Sequence, residues 1–253
     1  MAYIYAVANQ KGGVGKTTSC ICLSAALAER GKRALLVDLD PQGGLTTALG
    51  FDPDSFDTTI YTVLIGDEVP LDKAIIESKT DNVDFVPANL DLAGAEGELL
   101  GEIGWDRTLK VALKPVQQRY DYIFLDCPPS LGVLTTNALI AAQRVIIPVQ
   151  TEYLAMRGLK QLTKVLSKVR RKGNPNLTAK VLRTLHQSRT IHASEASEEL
   201  ENVLGDEIYK TIIHRTIKFA EASVAGESLL SYLPESKGAK AYRELAREVL
   251  KDG

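Results

Sequence analysis

An apolar run, Tyr3–Ala8, passes straight into Asn9-Gln-Lys-Gly-Gly-Val-Gly-Lys-Thr-Thr18, and a helical pattern follows from Lys16. Strand, glycine loop and helix start in one line leave few options. The glycines let backbone N–H groups turn toward a single point, and the helix adds the positive end of its dipole there. That is a cradle for phosphate. Gly12, Gly13, Val14, Gly15, Lys16, Thr17 and Thr18 form it, with Lys16 reaching the β- and γ-phosphates of a nucleotide and the Thr17 hydroxyl placed to ligate Mg²⁺. The plain pattern G-x-x-x-x-G-K-[ST] is broken, because Gln10 stands five residues before Gly15. A second lysine, Lys11, heads the loop instead.

The rest of the chain repeats the strand-then-helix order. Strands are expected at Tyr3–Ala8, Ala34–Asp38, Val83–Pro87, Tyr122–Asp126, Val145–Val149, Lys180–Leu185 and Ile208–Ile213. Most are apolar throughout, as parallel strands covered on both faces require. Helices are expected at Lys16–Arg30, Asp106–Arg119, Val133–Ala142, Arg157–Lys172, Ser194–Leu204 and Gly238–Lys251. The alternation predicts an α/β fold, a doubly wound, mostly parallel sheet with helices on both faces. Gly173-Asn-Pro-Asn176 reads as a helix stop rather than a boundary, so residues 1–253 are expected to form a single domain.

Two strand ends carry carboxylates. The second runs Leu36-Val-Asp-Leu-Asp-Pro-Gln-Gly43 and the fourth Tyr122-Ile-Phe-Leu-Asp-Cys-Pro-Pro-Ser130. A carboxylate at the C-terminal end of a strand sits where open α/β sheets bind ligands. Asp126 is therefore placed for the Mg²⁺ water shell, although Asp40-Pro-Gln-Gly43 is also a competent turn.

These segments together resemble the ParA/MinD group of P-loop ATPases. Lys11-Gly-Gly-Val-Gly-Lys16-Thr17 is similar to that group's deviant Walker A motif, and the two strand ends look like its switch I and its Walker B with switch II. The resemblance spans nearly the whole chain. It implies ATP and Mg²⁺ as cofactors and an ATP-sandwich homodimer in which Lys11 crosses to the phosphates held by the other subunit. It also implies that Asp40 orients the attacking water and that Asp38 lies near the Mg²⁺ shell. With Lys16 these make the catalytic set Lys11, Lys16 and Asp40, and the metal set Thr17, Asp38 and Asp126.

Charge is unevenly spread. The chain carries 30 Lys and Arg against 32 Asp and Glu. Between Thr151 and Thr190, however, ten cations face one acid, Glu152. Such a segment suggests a local polyanion-binding face. Arg157–Lys172 is amphipathic, with Leu159, Leu162, Leu166 and Val169 on one stripe and Lys160, Lys164, Lys168 and Lys172 recurring every fourth residue. A solvated lysine face would read the same way. By resemblance, the arginine of Ser188-Arg-Thr190 and Arg215 match positions that touch DNA backbone in ParA-type ATPases. The second match is looser, because His214 and Glu221-Ala-Ser-Val224 stand where the family usually carries prolines. Arg189, Arg215, Lys160 and Lys164 are thus the expected contacts to non-specific DNA.

Other classes fit less well. No apolar run approaches a membrane span, and the N-terminus lacks the basic start of a secretory signal. Cys20 and Cys22 face different sides of a helix, so no disulfide is expected, and His186, His192 and His214 show no metal spacing. A loop beginning at residue 11 leaves no room for a preceding helix-turn-helix, so operator reading is not expected. A MinD-like membrane-cycling ATPase would need a C-terminal amphipathic membrane helix. Tyr242, Leu245, Ala246, Val249 and Leu250 make a stripe there, but Glu244 and Glu248 favour a helix docked on the sheet. A P-loop metabolic ligase would need a substrate pocket for which no residues stand out. The expectation is a cytoplasmic, nucleoid-associated ATPase that segregates DNA or positions cargo. It makes no stable membrane association, and a ParB-like or other adaptor stimulates its hydrolysis.

Overall fold

The computed structural model describes residues 1–66, 69–150, 155–187 and 207–252, with the side chains of 155–160 excepted. Its centre is a sheet of eight strands: β1 Tyr3–Val7, β2 Ala34–Asp38, β3 Ile76–Glu77, β4 Val83–Val86, β5 Tyr122–Asp126, β6 Arg144–Gln150, β7 Thr178–His186 and β8 Ile208–His214. The order is β3-β4-β2-β5-β1-β6-β7-β8. Only the short edge strand β3 runs antiparallel, against β4. The phosphate-loop strand β1 lies between β5 and β6, in parallel with both. Every residue of β2 and β5 is buried, which is why their sequences are apolar without alternation.

Helices cover both faces. On one side pack α3 Ile60–Ile65, α4 Leu92–Leu100, α5 Thr108–Leu113, α6 Val133–Ala141 and α7 Ala155–Lys172, through residues such as Leu64, Leu99, Leu113, Leu139 and Leu166. On the other lie α1 Lys16–Ala28, α2 Gly44–Ala48, α8 Lys218–Val224, α9 Leu229–Tyr232 and α10 Lys237–Asp252, through Leu23, Leu45, Ala222, Leu230 and Leu245. Each cluster is an independent apolar layer against one face of the sheet. This is the doubly wound arrangement that the sequence predicts.

Some elements differ from expectation. The helix expected over Asp106–Arg119 is only a 3₁₀ turn, Trp105–Arg107, followed by α5. Lys114 keeps helical dihedrals, but Pro115 has no N–H to donate to the Val111 carbonyl one turn back, so the regular helix ends at Leu113. Trp105, without a role in the sequence, packs half-buried against the core, and its carbonyl accepts a bond from Asn137 Nδ2 at 2.9 Å. The Gly173–Asn176 turn behaves as read, and more. Asn174 Nδ2 donates to the carbonyls of Leu139 at 3.0 Å and Ala142 at 2.6 Å, closing the C-terminal end of α6. The helix expected over Ser194–Leu204 lies outside the described residues.

Candidate functional site

The loop after β1 is pinned before it turns. Asn9 Nδ2 donates to the Pro148 carbonyl at 2.6 Å, and Asn9 Oδ1 accepts from the Lys11 amide at 3.0 Å. At the far end the Thr184 hydroxyl donates to the Val14 carbonyl at 2.8 Å. Gly15, at φ 89°, caps α1 in the left-handed region that a side chain would strain. No side chain caps α1, and its first turn carries no acid. Its first N–H groups and its dipole therefore face the cavity ahead of it, and the Lys16 side chain lies there, nearly buried.

Sheet register brings the carboxylates to the same place. Asp126 stands opposite Val7 on one side and Asp38 on the other. The Thr17 hydroxyl donates to Asp126 Oδ2 at 2.6 Å. Asp126 Oδ1 is buried and has no hydrogen-bond partner among the described residues. An orphaned carboxylate oxygen beside a threonine hydroxyl is a hard-oxygen donor set, which suits Mg²⁺. Asp38 is engaged differently. Its Oδ1 accepts from the Asp40 amide at 3.1 Å, and its Oδ2 accepts from the amide and hydroxyl of Thr46 at 3.0 and 2.9 Å. It anchors the 40–46 loop from beneath. Burial pushes the Asp38 carboxyl up to about 7. Burial, then the Asp38 charge, pushes Asp126 up to about 8. Two neighbouring buried carboxyls resist ionising until a cation arrives.

Asp40 stands half-buried in the cavity wall, its Oδ1 accepting from the Gln42 amide at 3.0 Å. The turn beyond it depends on Gly43 at φ 60°, where a Cβ would lie 2.9 Å from the Ala88 carbonyl oxygen. Lys11 does not line the cavity. It is exposed, and its ammonium donates to Gln150 Oε1 at 2.9 Å at the end of β6.

The cavity measures about 420 Å³ and extends well past the phosphate loop. Thr184, Leu185, Ile213, Thr216 and Phe219 form its far wall, enough for a base and sugar. Leu185 holds φ 50°, unusual for a non-glycine residue. Phe219 meets Tyr242 edge-on at 5.8 Å, and the Tyr242 hydroxyl pairs with Ser19 Oγ at 3.0 Å. None of this wall belongs to a motif. Its only signal in the sequence is position, just at or past the C-terminal ends of β7 and β8.

The expected nucleic-acid contacts are more scattered. Arg215 is exposed just beyond β8, its amide donating to the His186 carbonyl at 3.1 Å. Lys164 is exposed on α7 while Leu162, Leu166 and Val169 are buried. The Lys160 side chain and the whole of Arg189 lie outside the described residues. Three cations of the basic segment are turned to packing. Arg183 is buried and donates to the Tyr209 and Lys210 carbonyls, each at 3.2 Å. Arg170 Nε donates to the Leu177 carbonyl at 2.7 Å, and Lys180 pairs with Asp252 at 2.7 Å. The excess of positive charge is therefore not all surface.

The stripe of α10 is used up inside. Tyr242, Leu245, Ala246 and Val249 are buried, and Glu248 accepts from the amides of Lys210 and Thr211 at 2.8 and 2.9 Å. Among the described residues no helix is long and apolar enough to cross a membrane.

A family profile described as an AAA domain matches residues 2–179. The sporulation initiation inhibitor protein Soj of Bacillus subtilis is 45% identical over 255 residues, covering 100% of both chains. The chromosome partitioning protein ParA of Myxococcus xanthus is 41% identical, covering 98% of this chain and 88% of its own. Two solved structures share the fold. One, from Mycobacterium smegmatis, is described as cobyrinic acid a,c-diamide synthase with bound ADP and magnesium; it is 42% identical at TM-score 0.86 and covers 99% of this chain and 95% of that one. The cell division ATPase MinD of Pyrococcus furiosus is 28% identical at TM-score 0.81, with 100% of both chains covered.

Proposed function

The chain belongs to the Soj and ParA group of P-loop ATPases, and from that premise we propose that it is an ATP-driven switch that segregates DNA or positions cargo. One observation carries the reading. An uncapped helix N-terminus, the near-buried Lys16 and the Thr17–Asp126 pair with its orphaned oxygen all meet at the mouth of one nucleotide-sized cavity. ATP and Mg²⁺ are the ligands that this donor set suits, and the M. smegmatis structure holds ADP and magnesium. Residues 1–253 then act as one ATPase unit.

Each residue has a task. The loop amides and Lys16 hold the β- and γ-phosphates. Thr17 and Asp126 would hold Mg²⁺, with Asp38 behind them, and the ion would neutralise charge developing on the phosphates. Asp40 orients a water for in-line attack, and Asp38, bonded to the Asp40 amide, keeps that carboxylate at the cavity. Lys11, exposed and outside its own cavity, would turn from its contacts at Gln150 to the phosphates of a second subunit. The ATP dimer then joins two cationic edges into one surface for DNA, with Arg189, Arg215, Lys160 and Lys164 as phosphate contacts. Hydrolysis in the isolated protein is far slower than the roughly 1–100 s⁻¹ of kinases, and an adaptor accelerates it. The protein works in the cytoplasm on nucleoid DNA. With its apolar stripe spent on packing, α10 offers a membrane nothing.

A small-molecule ligase is the second reading, favoured by the description of the M. smegmatis structure. An amide-forming route through a cysteine nucleophile would require an accessible thiolate. All three cysteines of this chain are buried, and burial pushes the thiols up, Cys22 to about 12.

The test pairs sedimentation with fluorescence anisotropy on unrelated duplexes. With ATP the protein should dimerise and bind every duplex alike; with ADP it should do neither. If each dimer neutralises about six phosphates, affinity should fall on the order of a thousandfold between about 50 and 200 mM salt. Lys11→Ala should bind ATP and stay monomeric. Equal DNA binding in ATP and ADP, or a Lys11→Ala protein that dimerises normally, would sink the switch.

A further inference from the structure

Spacing along the chain hides a pair of histidines that the sheet brings together. His186 ends β7 and His214 ends β8, and register sets them directly opposite each other. Opposed residues on neighbouring strands point to the same face. The two rings meet with centroids 5.2 Å apart and planes at 71°. His186 is buried, whereas His214 is exposed. Burial holds the His186 imidazole below its usual range, and the charges of His214 and Arg183 push the same way. A neutral imidazole carries a lone pair on one ring nitrogen. An edge-on contact alone would need no nitrogen, since Phe219 and Tyr242 make one between ordinary aromatic rings. Two histidines set against each other and against Arg183 make protonation costly and leave nitrogen donors together.

We propose that His186 and His214 form a two-histidine site for a transition-metal ion of the Zn²⁺ class, which clamps the ends of β7 and β8. Two imidazoles on one tetrahedral ion, each nitrogen about 2.0–2.1 Å from the metal, hold their ring centroids about 5 Å apart. The observed separation meets that condition. Charge selects the kind of ion. Arg183 and Arg215 lie alongside, so a hard cation held by charge alone is disfavoured, and nitrogen donation favours Zn²⁺ over Mg²⁺ or Ca²⁺. Among the described residues no third histidine, cysteine or carboxylate completes a cluster. The site is therefore open, its remaining positions left to water on the exposed side of His214.

The clamp has something to hold. The pairing of β7 with β8 shifts register between Arg183 and His186, and Leu185 takes its positive φ within that step. Leu185, just before one ligand, and Thr216, shortly after the other, both line the cavity. An ion on the two imidazoles ties the strands where their ladder is irregular and stiffens that wall. The site stands whether or not the cavity takes ATP.

The probe is Zn²⁺ alone, titrated calorimetrically onto the full chain without nucleotide and in excess Mg²⁺, which competes for carboxylate sites. Zn²⁺ should bind and raise Tm. His214→Gln, at an exposed position, should fold normally and weaken binding by at least the roughly 10–100-fold that loss of a mere supporting partner costs a metal site. His186→Gln should do the same. Because a buried substitution can unsettle its strand, the unsubstituted protein supplies a second readout. Substoichiometric Cu²⁺ should broaden the ring-proton NMR signals of His186 and His214 together. Absence of Zn²⁺ binding in excess Mg²⁺ overturns the site. Unchanged Zn²⁺ affinity in His214→Gln does so too, as does broadening that reaches only one of the two rings.

Discussion

The inner strands β1, β2 and β5 and the outer strands β7 and β8 end along the same edge of one sheet, yet they end in different kinds of chemistry. At the inner strands, Asp38, Asp126 and Thr17 are held by register and by each other, inside the protein. At the outer strands, Arg215 is exposed while Arg183 is spent on carbonyls of the neighbouring strand. The inner groups are buried at a cost that only a ligand relieves, so their presence argues for one. Arg215 is content in water, and its presence argues for little until a polyanion is tested.

The contrast can be broken most directly at Lys16. Removing a buried cation from the phosphate cradle should lower ATP affinity by on the order of a hundredfold or more, about 3 kcal/mol, as seen by titration calorimetry. A loss below about threefold would mean that the inner site is not built around phosphate.

A smaller effect sharpens the same side. Folding raises the Asp38 and Asp126 carboxyls to about 7 and about 8, above the roughly 4 of an unfolded carboxylate. The folded state thus binds more protons, so stability should fall as pH rises. Their contribution should be complete below about pH 4, and gone once pH has passed about 7 and about 8. Thermal melts without nucleotide or magnesium should show Tm dropping on the order of a few degrees across that range. Asp126→Asn should flatten the drop, and a melt independent of pH in the unsubstituted protein would refute the buried pair.

The outer strands should respond least. Arg215→Glu should weaken binding to all duplexes about tenfold and Lys164→Glu less, with ATP-dependent dimerisation intact in both. A duplex-dependent loss would show that bases, not phosphates, are being read. No loss at either residue would leave the cationic edge a solvated face.

The same contrast explains what the sequence could disclose. Lys16, Thr17, Asp38 and Asp126 are legible because strand, loop and helix must adjoin for the chemistry to work, and adjacency along the chain records it. Thr184, Ile213 and Phe219 reach the cavity from the ends of β7 and β8 and just beyond, and an ordinary threonine or isoleucine at a strand end carries no mark of that. The charge of 151–190 misleads for a related reason. A count of cations cannot distinguish Lys164, which faces water, from Arg183, which fills an irregular pairing between β7 and β8. Short helices such as α2 and α3 escape notice because fewer than two turns hold too little periodicity to read.

The placing of β1 has a consequence for how the molecule comes into being. Both neighbours of β1 lie more than a hundred residues further along the chain. As the chain leaves a ribosome, the phosphate loop is made almost first and must wait unpaired until Asp126 and then Ile146 emerge. The wall that would receive the base waits longer still, for Phe219 and Tyr242. A nascent chain therefore cannot close on nucleotide early, and ATP acts on the finished fold rather than as a template for its assembly.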